Sequence, residues 1–374
     1  MNYENAYDYL QWEYSRLTTK TKNIEPKDFD IFFEKEKYKY GSENADLYES
    51  SKILFKKLAK IASELKLPIE EQNRSKYAIL KRHSENMDKV LKENNFEPPY
   101  DIVLGTLPIN ELNAFVRSFP NGQMLIALNE GLIDFIYLMG RVVASFFTKT
   151  DENNDTDTIT FTLNEEVIAE ALENNKNGHT KFIETLVLYF AYENLHISSI
   201  YYEKDNNKHL SGVLYDNAEL FVVAHEYSHI LLDHLSPNRE LIKHFLDEDS
   251  SLYQLIRNWT DEYSADALAV QSVLAYNRNT LNGWMCGYLG VELCISCLEV
   301  IEKFFNIDSS ETHPSAGMRR VNIQKTLKQL LPLEHSKQIL DNSKFIQDII
   351  STLWNMHKDT IHNICDNFKE ISQI

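Results

Sequence analysis

With 374 residues, 43% hydrophobic and 25% charged, the chain has the make-up of a globular protein long enough to bury a sizeable core. Its 38 Lys and Arg stand against 56 Asp and Glu, a formal net charge of −18, which argues against nucleic acid or an anionic membrane surface as the main partner. The same balance would suit basic peptides, but acidic solvated helices account for it equally well.

Residues 1–95 read as a charged helical region rich in Lys, Glu and Tyr, as in SKILFKKLAKIASELKL and SKYAILKRHSENMDKVLKE. The opening MNYENAYDYLQWEYSRL has no basic stretch followed by an apolar run, so no secretory signal is expected. Asn94 to Pro99 is a breaker cluster and marks the first boundary. Beyond it, DIVLGTL, NAFVRSF and QMLIALN, the last two separated by Pro120-Asn121-Gly122, predict a small, mostly antiparallel sheet over about 100–127. Helix resumes over 131–147, and the polar stretch 148–157 reads as a surface loop. Two helices are expected near 164–172 and 181–194, with a loop at 174–178 between them and a charged, exposed stretch at 203–208. A further helix is expected from Asn217, a plausible N-cap, to Leu235, stopping before Ser236-Pro237.

The most hydrophobic window, Leu281 to Leu298, is short for a membrane span and contains Glu292, so it reads as a buried core helix. Cys294 and Cys297 lie within it without a second CxxC or nearby paired histidines. With Cys286 and Cys365 they read as reduced thiols of a cytoplasmic protein. From Leu331 the chain is again helical and polar. The expectation is a mainly helical α+β protein: a helical N-terminal region (1–95), a central domain (96–330) and a C-terminal helical extension (331–374).

One motif carries chemistry. His225-Glu226-Tyr227-Ser228-His229 is an HExxH, and in a helix positions i and i+4 share a face, so both imidazoles can reach one metal ion. Glu226 then sits where it can take a proton from a bound water. His225, Glu226, His229 and Asp233 fall in one wedge, while Leu220, Phe221, Val223, Ala224, Ile230, Leu231, Leu232 and Leu235 occupy most of the rest. A polar stripe on a buried helix needs a reason.

Two histidines do not complete a zinc site. Glu262 and Asp266, at i and i+4 of a helical stretch 33 residues beyond His229, are the best candidates for the remainder. One can ligate while the other accepts a hydrogen bond from a ligating imidazole. His234 falls on the apolar side of its helix and reads as a packed, hydrogen-bonded histidine rather than a ligand.

HEYSH, His234 five residues on, Glu262-Tyr-Ser-Ala-Asp266, His313-Pro314 followed by Arg319, and Asn113-Ala-Phe115 followed by Pro120-Asn121-Gly122 together resemble the M48-type gluzincin zinc metallopeptidases. The resemblance spans residues 113–319 and departs from the family in having Asn121-Gly122 where paired glycines are usual, and in lacking a convincing membrane span. It implies a gluzincin-like core whose sheet packs on the HExxH helix, one Zn2+ held by His225, His229 and Glu262, and Glu226 as general base. Asp266 would support a ligand, and His313 and Arg319 would stabilise the oxyanion. The segment 118–127 would act as an edge strand pairing with an extended protein or peptide substrate, with Asn113, Phe115, Ser118, Phe119, Asn121 and Gly122 at the substrate. The implied activity is zinc-dependent endopeptidase hydrolysis. The alternatives are a target-specific or latent peptidase of a defence or toxin system, and a non-catalytic regulatory protein on the same scaffold.

Overall fold

The computed structural model describes residues 3–17, 64–96, 100–147, 165–193, 195, 198, 205–235, 251–277, 280–307 and 313–372. The expected loop at 148–157 and most of SKILFKKLAKIASELKL lie outside them, as do residues 97–99 of the breaker cluster. Ten helices and three strands are described. They run α1 (Ala6–Leu17), α2 (Arg74–Glu93), β1 (Asp101–Leu107), β2 (Ala114–Ser118), β3 (Gln123–Asn129), α3 (Glu130–Ala144), α4 (Glu165–Asn174) and α5 (Lys176–Phe190). Then follow α6 (Asp205–Leu231), α7 (Ser251–Tyr276), α8 (Leu281–Phe305), α9 (Ala316–Leu330) and α10 (Leu333–Ser372). The mainly helical α+β expectation holds.

The sheet is mixed rather than mostly antiparallel. Its order is β1-β3-β2, with β1 parallel to β3 and β2 antiparallel to it. After β1 the chain passes to the far edge, and the Phe119–Gly122 turn sends β3 back between the two earlier strands. That turn is closed by Gly122 N–H donating to Phe119 O at 3.0 Å, with Gly122 at φ +85°, a conformation that favours glycine. β3 is buried on both faces. Met124, Ile126 and Leu128 join the main core, and Leu125 and Ala127 join a smaller cluster with Ala6, Tyr9, Leu10 and Tyr14 of α1.

The motif helix begins earlier than its sequence suggests. α6 runs from Asp205, so the expected cap Asn217 lies inside the helix. Its side chain donates to Val213 O at 2.9 Å and accepts from Asn277, the residue just past α7, at 2.7 Å, a tie between elements instead of a start signal. The expected loop at 174–178 shrinks to Asn175. That residue caps α5 by accepting from Gly178 N–H at 2.9 Å, so the second helix starts at Lys176 rather than 181.

α8 passes close beside α6 at Gly290, where a Cβ would lie 2.4 Å from Asn217 Cβ and 2.6 Å from Ala218 N. By length and composition α8 could cross a membrane, yet 67% of its most apolar window is buried inside the protein. Its Glu292 is buried and paired with Arg320 of α9. The last helix, α10, joins the main core through Ile339, Ile346, Ile349, Ile350, Leu353, Trp354, Ile361 and Cys365, and Leu80, Met87 and Leu91 of α2 belong to the same cluster.

Candidate metal centre

α6 and α7 pack against each other, and this contact faces the HExxH stripe towards the acidic stripe of α7. The two middle residues of the motif turn inward. Tyr227 is fully buried with its hydroxyl 2.5 Å from Ser84 Oγ of α2, and Ser228 donates to Ala224 O at 2.7 Å. This anchoring leaves His225 and His229 aimed at α7. Their Nε2 atoms are 3.1 Å apart, and Glu262 offers Oε2 to His225 Nε2 and Oε1 to His229 Nε2, each at 3.4 Å.

These spacings bear directly on whether a metal fits. Two donor atoms each about 2.1 Å from a tetrahedral ion lie roughly 3.4 Å from one another. The three observed separations are close to that, with Glu262 meeting the two imidazoles through different oxygens, and two imidazoles with one carboxylate form a donor set used for divalent transition metals, zinc among them. Glu262 Oε2 is buried and makes no well-aligned hydrogen bond, although His225 Nε2 and His313 Nδ1 lie 3.4 and 3.2 Å away, so it can still accept a cation. His225, His229 and Glu262 therefore form a buried group able to hold a metal ion.

Charges around the group are arranged in pairs. Asp266 is fully buried, with Oδ1 3.0 Å from His225 Nδ1, although the contact is bent away from a straight hydrogen bond. Arg319 of α9 donates twice to Asp266, at 2.9 and 2.7 Å, and its Nη1 lies 3.8 Å from Glu262 Oε2. Burial alone would lower the His225 pKa, but Asp266 and Glu262 outweigh it and push it up to about 10. Burial would raise both carboxyls; the imidazoles instead hold Glu262 well below its ordinary range, and chiefly Arg319 holds Asp266 below its own. Glu226 is buried, and desolvation raises its pKa against the lowering pull of His225 and His229.

The other expected residues divide. His313 stands at the mouth of the site, 57% exposed, with Nδ1 3.2 Å from Glu262 Oε2. Arg319 pairs with Asp266 and so clamps α9 to α7, with Nη1 reaching towards Glu262. Its neighbour Arg320 is buried too, bonded to Glu292 at 2.8 Å, Glu299 at 2.6 Å and Ser296 at 3.1 Å. Glu302 of α8 accepts the Ala316 N–H at 2.7 Å, and Ser315 caps the start of α9. These contacts seat His313 and Arg319 beside the histidines, and nothing in the chain's periodicity announced them.

The expected edge strand 118–127 needs correction. Gln123–Asn129 is the central strand, hydrogen-bonded on both sides, and the edge beside α6 is Ala114–Ser118. Among the described residues its outer side has no strand partner. Asn113 and Ser118 are exposed, and so are Asn121 and Gly122 in the turn beyond. Phe119 is buried against Tyr9, and Phe115 packs towards that same cluster, so both lie on the face turned to α1.

A second buried group, His83 of α2 with Asp216 and Glu219 of α6, also has the donors for a metal ion. Its sequence spacing gave no sign of it, because the histidine comes from a distant helix. Arg82 sits on it already, bonded to Asp216, 3.2 Å from His83 Nε2 and 3.7 Å from Glu219.

No family model, curated protein or solved structure matches the chain.

Proposed function

We propose that the protein is a zinc-dependent peptidase whose metal is held by His225, His229 and Glu262. The observation that carries this reading is the convergence of two imidazole nitrogens and the two oxygens of one carboxylate at 3.1 to 3.4 Å, with an adjacent buried carboxyl, Glu226. Bound there, zinc would supply a Lewis acid that brings the pKa of water towards about 7.

The chain's own groups do the rest. Glu226 has no hydrogen-bond donor among the described residues, which leaves its carboxylate able to take a proton from water and deliver it to the leaving amine. Asp266 fixes the orientation of His225, and Arg319 keeps Asp266 ionised. His313, at the mouth, is the group able to donate to a developing oxyanion. The exposed edge of Ala114–Ser118 offers backbone groups to an extended peptide.

Glu226→Gln keeps the shape of the site and removes the base. The variant is expected to retain one zinc per chain while peptide hydrolysis falls at least about 100-fold, within the usual range for losing a general base. Full turnover in that variant would sink the mechanism. Metal analysis of the parent protein tests the site itself.

A further inference from the structure

We propose that His234 is a positioning residue for His229, and that the turn ending α6 is built to hold one imidazole against the other. This inference rests on the reading of His229 as a metal ligand.

The backbone places the two rings together. Asp233 has φ +56°, His234 N–H donates to His229 O at 2.9 Å, and Asp233 N–H donates to Ile230 O at 3.1 Å. These are the paired bonds of a Schellman turn, in which the second residue past the helix folds back over the one five positions earlier. Such a turn often joins those residues by an apolar contact; here the contact is between two imidazoles. His234 Nδ1 lies 2.9 Å from His229 Nδ1, with the ring centroids 4.9 Å apart. The spacing of five residues is therefore the spacing the turn requires.

The far side of His234 is held as well. Its Nε2 is 3.2 Å from Ser264 Oγ and 3.6 Å from Asp261 Oδ1, both on α7. His229 uses Nε2 towards His225 and Glu262, so its proton belongs on Nδ1 whenever Nε2 ligates. His234 then accepts at Nδ1 and donates from Nε2 to Ser264 Oγ, with the Asp261 carboxylate 3.6 Å away. The two ligand histidines are thus oriented by different chemistry. His225 leans on the Asp266 carboxylate, and His229 leans on a neutral imidazole backed by α7.

The test is zinc affinity of the full chain, read by competition with a chromophoric chelator, together with Co2+ absorption spectra. His234→Ala is expected to bind one zinc about 10- to 100-fold more weakly, the usual effect of losing such a support. Its Co2+ bands should match those of the parent, because the ligand count is unchanged. His234→Asn should recover most of the affinity, since its amide oxygen can accept where Nδ1 did. Asp233→Gly should bind like the parent, whereas Asp233→Val, which disfavours the left-handed turn, should bind more weakly with every imidazole intact.

Equal affinity in the parent and His234→Ala overturns the inference and leaves the metal reading standing. A parent that binds no zinc overturns both. A Co2+ spectrum showing a lost ligand in His234→Ala also overturns it, because His234 would then be a ligand. Should His234→Ala not fold, the Asp233 pair decides: equal affinities for Gly and Val overturn the proposal.

Discussion

At the scale of single residues, environment separates groups that the sequence presents as alike. Glu292 and Glu299 both pair with Arg320, yet burial raises the Glu292 pKa, while Lys303 and Arg320 overcome burial at Glu299 and lower it. A carboxyl with a lowered folded pKa adds stability above its unfolded value, near 4.3, and that stability is lost as the pH falls through the folded value. Glu292 has the opposite sign, favouring the fold below its unfolded pKa and losing that contribution as the pH rises through its raised folded value. Glu299→Gln is therefore expected to flatten the loss of stability below about pH 4, as seen in urea melts at successive pH values. An unchanged acid limb would show that the Glu299 pair contributes nothing measurable. The cysteines follow the same logic. Burial pushes Cys294 up to about 12 and raises Cys297, so neither thiol forms an appreciable thiolate at neutral pH. In the native protein both should resist alkylation that labels the half-buried Cys286 first, as peptide mapping after a short iodoacetamide pulse would reveal.

At the scale of elements, the helix–helix contacts decide whether donors on separate helices meet. Gly290 lets α8 approach α6 at Asn217, and the methyl group of Gly290→Ala would meet backbone. Such overpacking costs about 1–3 kcal/mol, expected as a fall in melting temperature without loss of helical signal. An unshifted melt would mean that the helices part freely there. This contact also shows how far the sequence could be read. Local chemistry was legible: the i, i+4 spacing of His225 and His229 and that of Glu262 and Asp266 follow from helix geometry, and the apolar run QMLIALN beside Pro120-Asn121-Gly122 marks a strand. The start of α6 was not, because Asn217 has the chemistry of a cap but is used between helices. Nor was the parallel pairing of β1 with β3, since strand order depends on where a connection crosses and not on the strand's own residues. The group at His83, Asp216 and Glu219 was hidden because its histidine comes from a helix distant in sequence.

At the scale of the whole molecule, the proposed metal would join helices that the core has already brought together. α6 contributes His225 and His229, α7 contributes Glu262 and Asp266, and Arg319 ties in α9, which Arg320 and Glu302 fasten to α8. The main apolar cluster runs from α2 to α10, well beyond that junction, so the metal-free chain is expected to stay folded. Zinc held at 100 times its dissociation constant adds about 2.7 kcal/mol to a fold that binds it only when native. For a chain of this size, that corresponds to a rise in melting temperature of at least a few degrees. Chelation should therefore lower the melt by that amount and leave the far-ultraviolet circular dichroism unchanged at 25 °C, and re-addition of zinc should restore it. His225→Ala should melt at the same temperature with and without chelator, because its site has lost a donor. If chelation instead unfolds the parent outright, the metal holds the fold together rather than seating in a preformed pocket. If it changes nothing in the parent, His225, His229 and Glu262 bind no ion under those conditions, and the peptidase proposal falls with them.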